Sequence, residues 1–308
     1  MNNSRRKRQK NLRNLVKIVS CGNNYSKEIY LMNDELTLAE QWEKMTIANN
    51  FIFYYVMRNN PDICKEVIER LLQIEIDHIE MAQEETVNVD LESKSIRMDV
   101  YVKNSTQAFD LEIQAKDTKE LPERSRYYQG IIDVDSLKSG EIYSKLKESY
   151  IIFICLSDIF DKGLPAYHFE NLCTENPEIK LNDKAYKYFY IAKNYDKLTD
   201  EKQKNFLKLV MKNESSDELS KKIIQKVNTA KQNVLLRKKY MEYERQRAYD
   251  ILLGEERGIE QGLIMGAQQK ADEAAIAFLK EGLSVEIIAK CINIPIDHVK
   301  ELAAQLEK

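Results

Sequence analysis

Two segments with strict period-two alternation, SIRMDVYVK (Ser95 to Lys103) and AFDLEIQ (Ala108 to Gln114), are separated by four polar residues, Asn104 to Gln107. Alternation of this kind marks half-buried strands, and so short a connection joins them as an antiparallel hairpin. The apolar run Tyr150 to Leu156 reads as a central strand buried on both faces, and Tyr186 to Ala192 as a further strand. Between hairpin and central strand, Leu121 to Leu137 predicts a helix, with Pro122 in its first turn and Gly140 just past its end.

Upstream, Leu36 to Arg58 reads as helical. Asn60 and Pro61 suit the N-cap and first position of a second helix that buries Ile63, Val67, Ile68, Leu71 and Leu72. Ile74 to Ile79 can then form a first strand. With nine Gly and five Pro in 308 residues, long helices should outweigh turn-rich all-β architecture. The expected fold is α/β: a mixed sheet flanked by helices, followed by an all-helical C-terminal extension.

The hairpin also constrains chemistry. With its turn centred between Ser105 and Thr106, Ile96, Met98, Val100 and Val102 share one face, and Arg97, Asp99 and Tyr101 the other. On the second strand Asp110, Glu112 and Gln114 oppose Phe109, Leu111 and Ile113. Asp99 then faces Glu112, with Cβ atoms about 5 Å apart. Two carboxylates this close repel unless a cation lies between them or one is protonated.

Any metal must be held by carboxylates, because three histidines and five scattered cysteines without a Cys-x-x-Cys pair exclude zinc fingers and histidine triads. The cysteines read as buried thiols of a reducing compartment. Oxygen ligands favour Mg²⁺, with Mn²⁺ or Ca²⁺ as substitutes. Gln114, further along the same face, can orient a water but supplies no positive charge.

The strings Ile96 to Val102 and Asp110 to Gln114 resemble the core of the recombination-promoting nuclease and transposase family, within the PD-(D/E)XK nuclease superfamily. The resemblance continues through Leu121 to Gln129, Ser139 to Tyr143 and Ile151 to Cys155, with Asn49 to Phe53 matching the opening helix. It implies a restriction-endonuclease-like fold and a metal-dependent DNA endonuclease of recombination or transposition. Asp99 and Glu112 become the metal ligands, and Gln114 takes the position where the superfamily usually has lysine. Glu66 or Glu69 are candidates for an additional acid from the first helices. Arg124, with Tyr128 one turn later, and Lys116 are candidates for contacting phosphate; the alternative for Arg124 is an ion pair with Glu120 or Glu123. A catalytically silent nuclease-fold protein acting as a DNA-binding or interaction scaffold is the alternative for the whole chain.

The net charge of −3 does not advertise nucleic-acid binding, but its distribution is uneven. Residues 1–17 carry seven Lys and Arg and no acid, leaving 40 of the 47 bases against all 50 acids in the remainder. Residues 1–35 thus form a basic, flexible arm that either contacts phosphates or is simply solvated. The nuclease-like domain is expected over 36–195 and a helical extension over 196–270. The extension carries glycines at 254, 258, 262 and 266, either a stripe for close helix approach or a tandem expansion.

Residues 271–308 read as three short helices in a helix-turn-helix-like layout, with Ser284 and Asp297 as caps and Ile287, Ile288, Cys291, Ile292, Ile294 and Val299 as a small core. The C-terminal helices could also join copies of the chain into a homo-oligomer. No apolar run reaches the roughly 20 residues of a membrane span and none follows the charged start, so a cytoplasmic protein without membrane partners is expected.

Overall fold

A six-stranded mixed sheet organises the N-terminal part of the protein, whose computed structural model describes residues 38–81, 100–115 and 119–306. Asp99, Lys116, the basic arm and the 95–99 part of the first hairpin strand lie outside the described residues. The strands are β1 (Glu80–Met81), β2 (Val100–Lys103), β3 (Gln107–Gln114), β4 (Glu148–Cys155), β5 (Ala166–Phe169) and β6 (Ala185–Ile191), in the spatial order β1-β2-β3-β4-β6-β5. β2 and β3 form the expected antiparallel hairpin, with Val100 opposite Leu111 and Lys103 opposite Ala108. Asn104 fixes the turn: its Oδ1 accepts from the N–H groups of Thr106 at 2.9 Å and Gln107 at 2.7 Å.

β3 then leads through helix α3 (Leu121–Ser136) to β4, which runs parallel to it, and β6 lies parallel on the far side of β4. This crossover changes the nature of the hairpin. The sequence suggests a half-buried strand, yet Ala108 to Gln114 are all buried. Helix α3 closes the face that carries Ala108, Ile151 and Phe153, with Leu121, Tyr128 and Ile132 packed among them. Helix α1 (Asn50–Asn59) lies against β2 and β3. A strand with parallel neighbours is covered on both faces because its crossover helix must pack somewhere.

Other segments differ from expectation for local reasons. The predicted 36–58 helix is interrupted: residues 38–44 are helical, a turn follows, and Asn49 caps α1 by accepting from the N–H groups of Phe51 and Ile52. Helix α2 (Pro61–Leu72) starts at the Asn60–Pro61 pair as expected. Ile74 to Ile79 is not a strand. Gln73 takes a left-handed conformation, and Glu69 accepts from the Ile76 N–H at 2.9 Å, so this backbone bonds to its own helix. β5 has no counterpart in the reading of the sequence, being a four-residue edge strand entered from Pro165.

The first compact unit runs on past the last strand to Tyr240. Helices α4 (Glu201–Lys212) and α5 (Glu218–Gln232) belong to it because they pack on α1 and α2. The Leu71 carbonyl accepts from the Tyr190 hydroxyl and from Gln203 Nε2, joining α2 to β6 and α4. Trp42 is fully buried, donates from its indole to the Lys231 carbonyl at 3.0 Å, and packs on Tyr240. Arg70 pairs with Asp217, the residue that caps α5.

The second unit runs from Met241. Its glycine-bearing segment and the predicted helix at 274–279 are one continuous helix, α6 (Val234–Lys280). A Cβ at Gly254, Gly258, Gly262 or Gly266 would meet nothing within 4 Å, so the stripe mediates no close helix approach among the described residues. Helices α7 (Val285–Ile292) and α8 (Ile296–Leu306) fold back on the end of α6 around Ala275, Ile288, Ala289, Val299 and Leu302. Ser284 caps α7 as expected. Asp297 does not cap α8; it lies inside the first turn and pairs with Lys300 at 3.1 Å. Ile287 and Cys291 point outward rather than into this core. No helix among the described residues is long and apolar enough to cross a membrane.

Asp217 gives a measurable handle on the first unit. Burial pushes its carboxyl up, but hydrogen bonds from the Ser220 hydroxyl and N–H and from Arg70 outweigh this and hold it below the usual range. A depressed carboxyl stabilises the fold above its unfolded pKa of about 3.9, and that stability is lost as pH falls through the lower folded value. Asp217→Ala should cost about 1–2 kcal/mol in urea unfolding at pH 7, with the difference from wild type shrinking below about pH 4. In the second unit, alanine at Gly258 or Gly262 should raise the helical melting transition, each by up to about 1 kcal/mol, because the added methyl clashes with nothing.

Candidate active site

β3 brings three polar side chains onto the face covered by α3: Asp110, Glu112 and Gln114, exposed by 0%, 3% and 9%. Their parallel neighbours on β4 are Ile151, Phe153 and Cys155. A carboxylate in such surroundings is costly unless positive charge and hydrogen bonds compensate it.

Arg124, in the first turn of α3, supplies that compensation. Its Nη2 donates to Glu112 Oε2 at 3.0 Å and to Gln114 Oε1 at 3.1 Å. The guanidinium carbon lies 5.0 Å from the centroid of the Phe153 ring and 5.5 Å from that of Tyr128, within range of cation–π attraction. Among the described residues its buried Nε makes no hydrogen bond. One nitrogen of the fork therefore bridges two oxygens while the rest of the head group lies over aromatic rings.

Spacing suggested an ion pair of Arg124 with Glu120 or Glu123 as the alternative to phosphate binding. The pair exists, but with Glu112, because α3 lies directly over the polar edge of β3. Tyr128 shares the helix face with Arg124, is 6% exposed and stacks on Phe153 at 6.4 Å. Asp99 and Lys116 lie outside the described residues.

Glu66 and Glu69 have other partners. Glu66 accepts from Arg70 at 2.7 Å, and Glu69 accepts from Lys65 and from the Ile76 N–H, both at 2.9 Å. They line a separate surface cleft with Gln73 and Asp200. Burial raises the Glu69 carboxyl, but the Ile76 and Lys65 bonds hold it below the usual range. Among the described residues no three His, Cys, Asp or Glu side chains group together as a metal site.

Two features had no counterpart in the sequence reading. Asp110, already placed on the Glu112 face by alternation, is fully buried. Beside it on β2, the Tyr101 hydroxyl and Lys103 Nζ both donate to Asp135 Oδ2 at 2.9 Å, fastening the end of α3 to the sheet. Burial, then the charge of Asp135, push the Tyr101 phenol well above its usual range, so it serves as a neutral donor. Only the register of β2 and the placement of α3 bring these residues together. The thiols behave as expected where buried: burial pushes Cys64 up to about 12, leaving it inert.

A mixed six-stranded sheet with flanking helices and a helical C-terminal region is a restriction-endonuclease-like α/β fold. The family model described as PD-(D/E)XK nuclease family transposase matches residues 48–252, and the chain belongs to that family. Membership supports a nuclease or transposition-related function. No curated protein and no solved structure matches the chain.

The Glu112–Arg124 contact should register as coupling in unfolding. In a double-mutant cycle with Glu112→Gln and Arg124→Gln, urea denaturation should give an interaction energy of about 1–3 kcal/mol favouring the native pair.

Proposed function

We propose that this protein is a metal-dependent DNA endonuclease that hydrolyses phosphodiester bonds in recombination or transposition. The observation that carries the reading is the pair of oxygens, Glu112 Oε2 and Gln114 Oε1, that share one cationic nitrogen over the central strand. Oxygens of a carboxylate and an amide that already accept the same cation suit a hard divalent ion, so the donor set fits Mg²⁺, with Mn²⁺ or Ca²⁺ as substitutes. Asp99, which directly precedes Val100 in the sequence, is proposed as the second carboxylate ligand beside Glu112.

A bound divalent ion would polarise a phosphoryl oxygen and lower the pKa of a water. The chain's own residues then supply position and charge. Glu112, anchored in a strand buried on both faces, keeps its carboxylate in place without side-chain freedom to lose. Gln114 orients the attacking water through its amide; it is a poor proton acceptor and so acts as a positioning residue. Arg124 offers a planar fork to the scissile phosphate, and Lys116 is a further candidate for backbone contact. Gln114 in place of a lysine favours the second reading, a silent nuclease fold that binds DNA without cutting, because the position brings no positive charge to the phosphate.

Plasmid cleavage by the purified full chain decides between the two. We expect nicking with Mg²⁺ or Mn²⁺, none in EDTA, and losses beyond about a hundredfold in Asp99→Ala and Glu112→Ala with the fold retained by circular dichroism. Retained DNA binding without cleavage under any metal supports the silent reading. Cleavage that survives both substitutions places the chemistry elsewhere.

A further inference from the structure

The same contact that holds Glu112 also stands where a metal would have to go. We propose that Arg124 is a resident counter-ion: it neutralises Glu112 in the metal-free protein, yields its place when a divalent cation binds, and turns its freed guanidinium to the phosphate. This rests on the reading of Glu112 and Gln114 as cation ligands.

Three observations carry it. The first is an asymmetry of burial: the Glu112 side chain is 4% exposed, whereas that of Arg124 is 32% exposed. The acid is locked in the strand, while the base has an open edge through which it can leave. A buried charged carboxylate is costly without compensation, so an arriving cation can take over from the one that leaves.

The second is how Arg124 is held. Both bonds run through Nη2 alone, and Nε makes none among the described residues. A guanidinium has five donors in a plane and pairs most strongly as a two-nitrogen fork. Here most of that capacity is unspent, so the contact is weaker than the group can make and a phosphodiester offers a better one.

The third is the surroundings of the head group. The Arg124 backbone is fixed, its N–H donating to the Glu120 carbonyl at 2.9 Å in the first turn of α3. The head group rests on the rings of Phe153 and Tyr128. Rotation about side-chain bonds can therefore carry it away from Glu112 while the rings still attract it. Once a dication lies on the Glu112 and Gln114 oxygens, like charges oppose the guanidinium at the same spot. Metal and DNA then favour each other reciprocally, since each draws Arg124 in the same direction.

The test is binding of Mn²⁺ alone to the full chain, measured by calorimetry with no DNA present. Arg124→Gln removes the competitor and should tighten Mn²⁺ by about tenfold, the equivalent of roughly one charge-assisted hydrogen bond. Its metal-free melting temperature should fall below that of wild type, with the gap closing at saturating Mn²⁺. Arg124→Gln binding Mn²⁺ no more tightly than wild type overturns the proposal.

Glu112→Gln separates the two levels of inference. If it binds Mn²⁺ as wild type does, the metal-site reading itself fails; if it loses Mn²⁺ while Arg124→Gln gains nothing, only the counter-ion proposal fails. Wild-type protein supplies an arm independent of folding in the variants. Its Arg124 guanidinium NMR signal, assigned by its absence in Arg124→Lys, should move on titration with Mg²⁺, and a signal unmoved at saturation overturns the proposal.

Discussion

Burying Glu112 on a strand with no open face is the constraint around which the first unit is arranged. A carboxylate that is 3% exposed cannot stay charged by its own hydration. Arg124, on the helix that closes the sheet, places a cation against it. Its guanidinium in turn needs a flat, apolar bed, which Phe153 and Tyr128 provide. Phe153 is itself stacked on Phe189 of β6 at 5.4 Å with an interplanar angle of 8°. One electrostatic requirement on β3 thereby fixes side chains on α3 and β4, and through them the packing of β6.

The covering helix has to be held over the strand by contacts that do not depend on the acid. At its start Leu121 is buried in the core beneath it. Midway, Gln129 Nε2 donates to Ser149 on β4 and to Asp133 at 3.1 Å. Near its end Asp135 receives Tyr101 and Lys103 from β2. Burial raises the Asp135 carboxyl, yet these two donors hold it below the usual range, so it remains charged to receive them. These anchoring points are spread along the sixteen residues of the helix.

Helices α2, α4 and α5, packed on one another and on α1, form a scaffold that the strands alone would not provide. Leu71, the penultimate residue of α2, accepts from both β6 and α4, which satisfies a helix-end carbonyl that would otherwise be buried without a partner. Arg70 and the capping Asp217 add a charged link between α2 and α5. These residues are separated by well over a hundred positions in sequence, so the unit is completed by its C-terminal helices.

Much of this was legible in the residues. Alternation gave the β2–β3 hairpin and its register, because a slip of one residue would have exchanged polar and apolar faces. The unbroken apolar run gave β4, and the Asn60–Pro61 pair and Pro122 gave the starts of α2 and α3. The chemical types on one edge of β3 were visible for the same reason, since period two depends only on the chain itself. The partner of Arg124 was not: spacing offered Glu120 and Glu123, one turn away or adjacent, and the structure chose Glu112. Helical periodicity shows which side chains share a face but not which strand that face will cover. The run of α6 from the expected helical extension straight on through 274–279 was hidden, as were the outward turn of Ile287 and the fate of Glu66 and Glu69. Sequence by itself determined the β2–β3 hairpin, the β4 and β6 strands, the starts of α2 and α3, and the acidic character of the β3 edge, all consequences of local backbone geometry. Tertiary structure alone decided that this edge lies buried beneath an arginine, because that depends on where the crossover helix comes to rest.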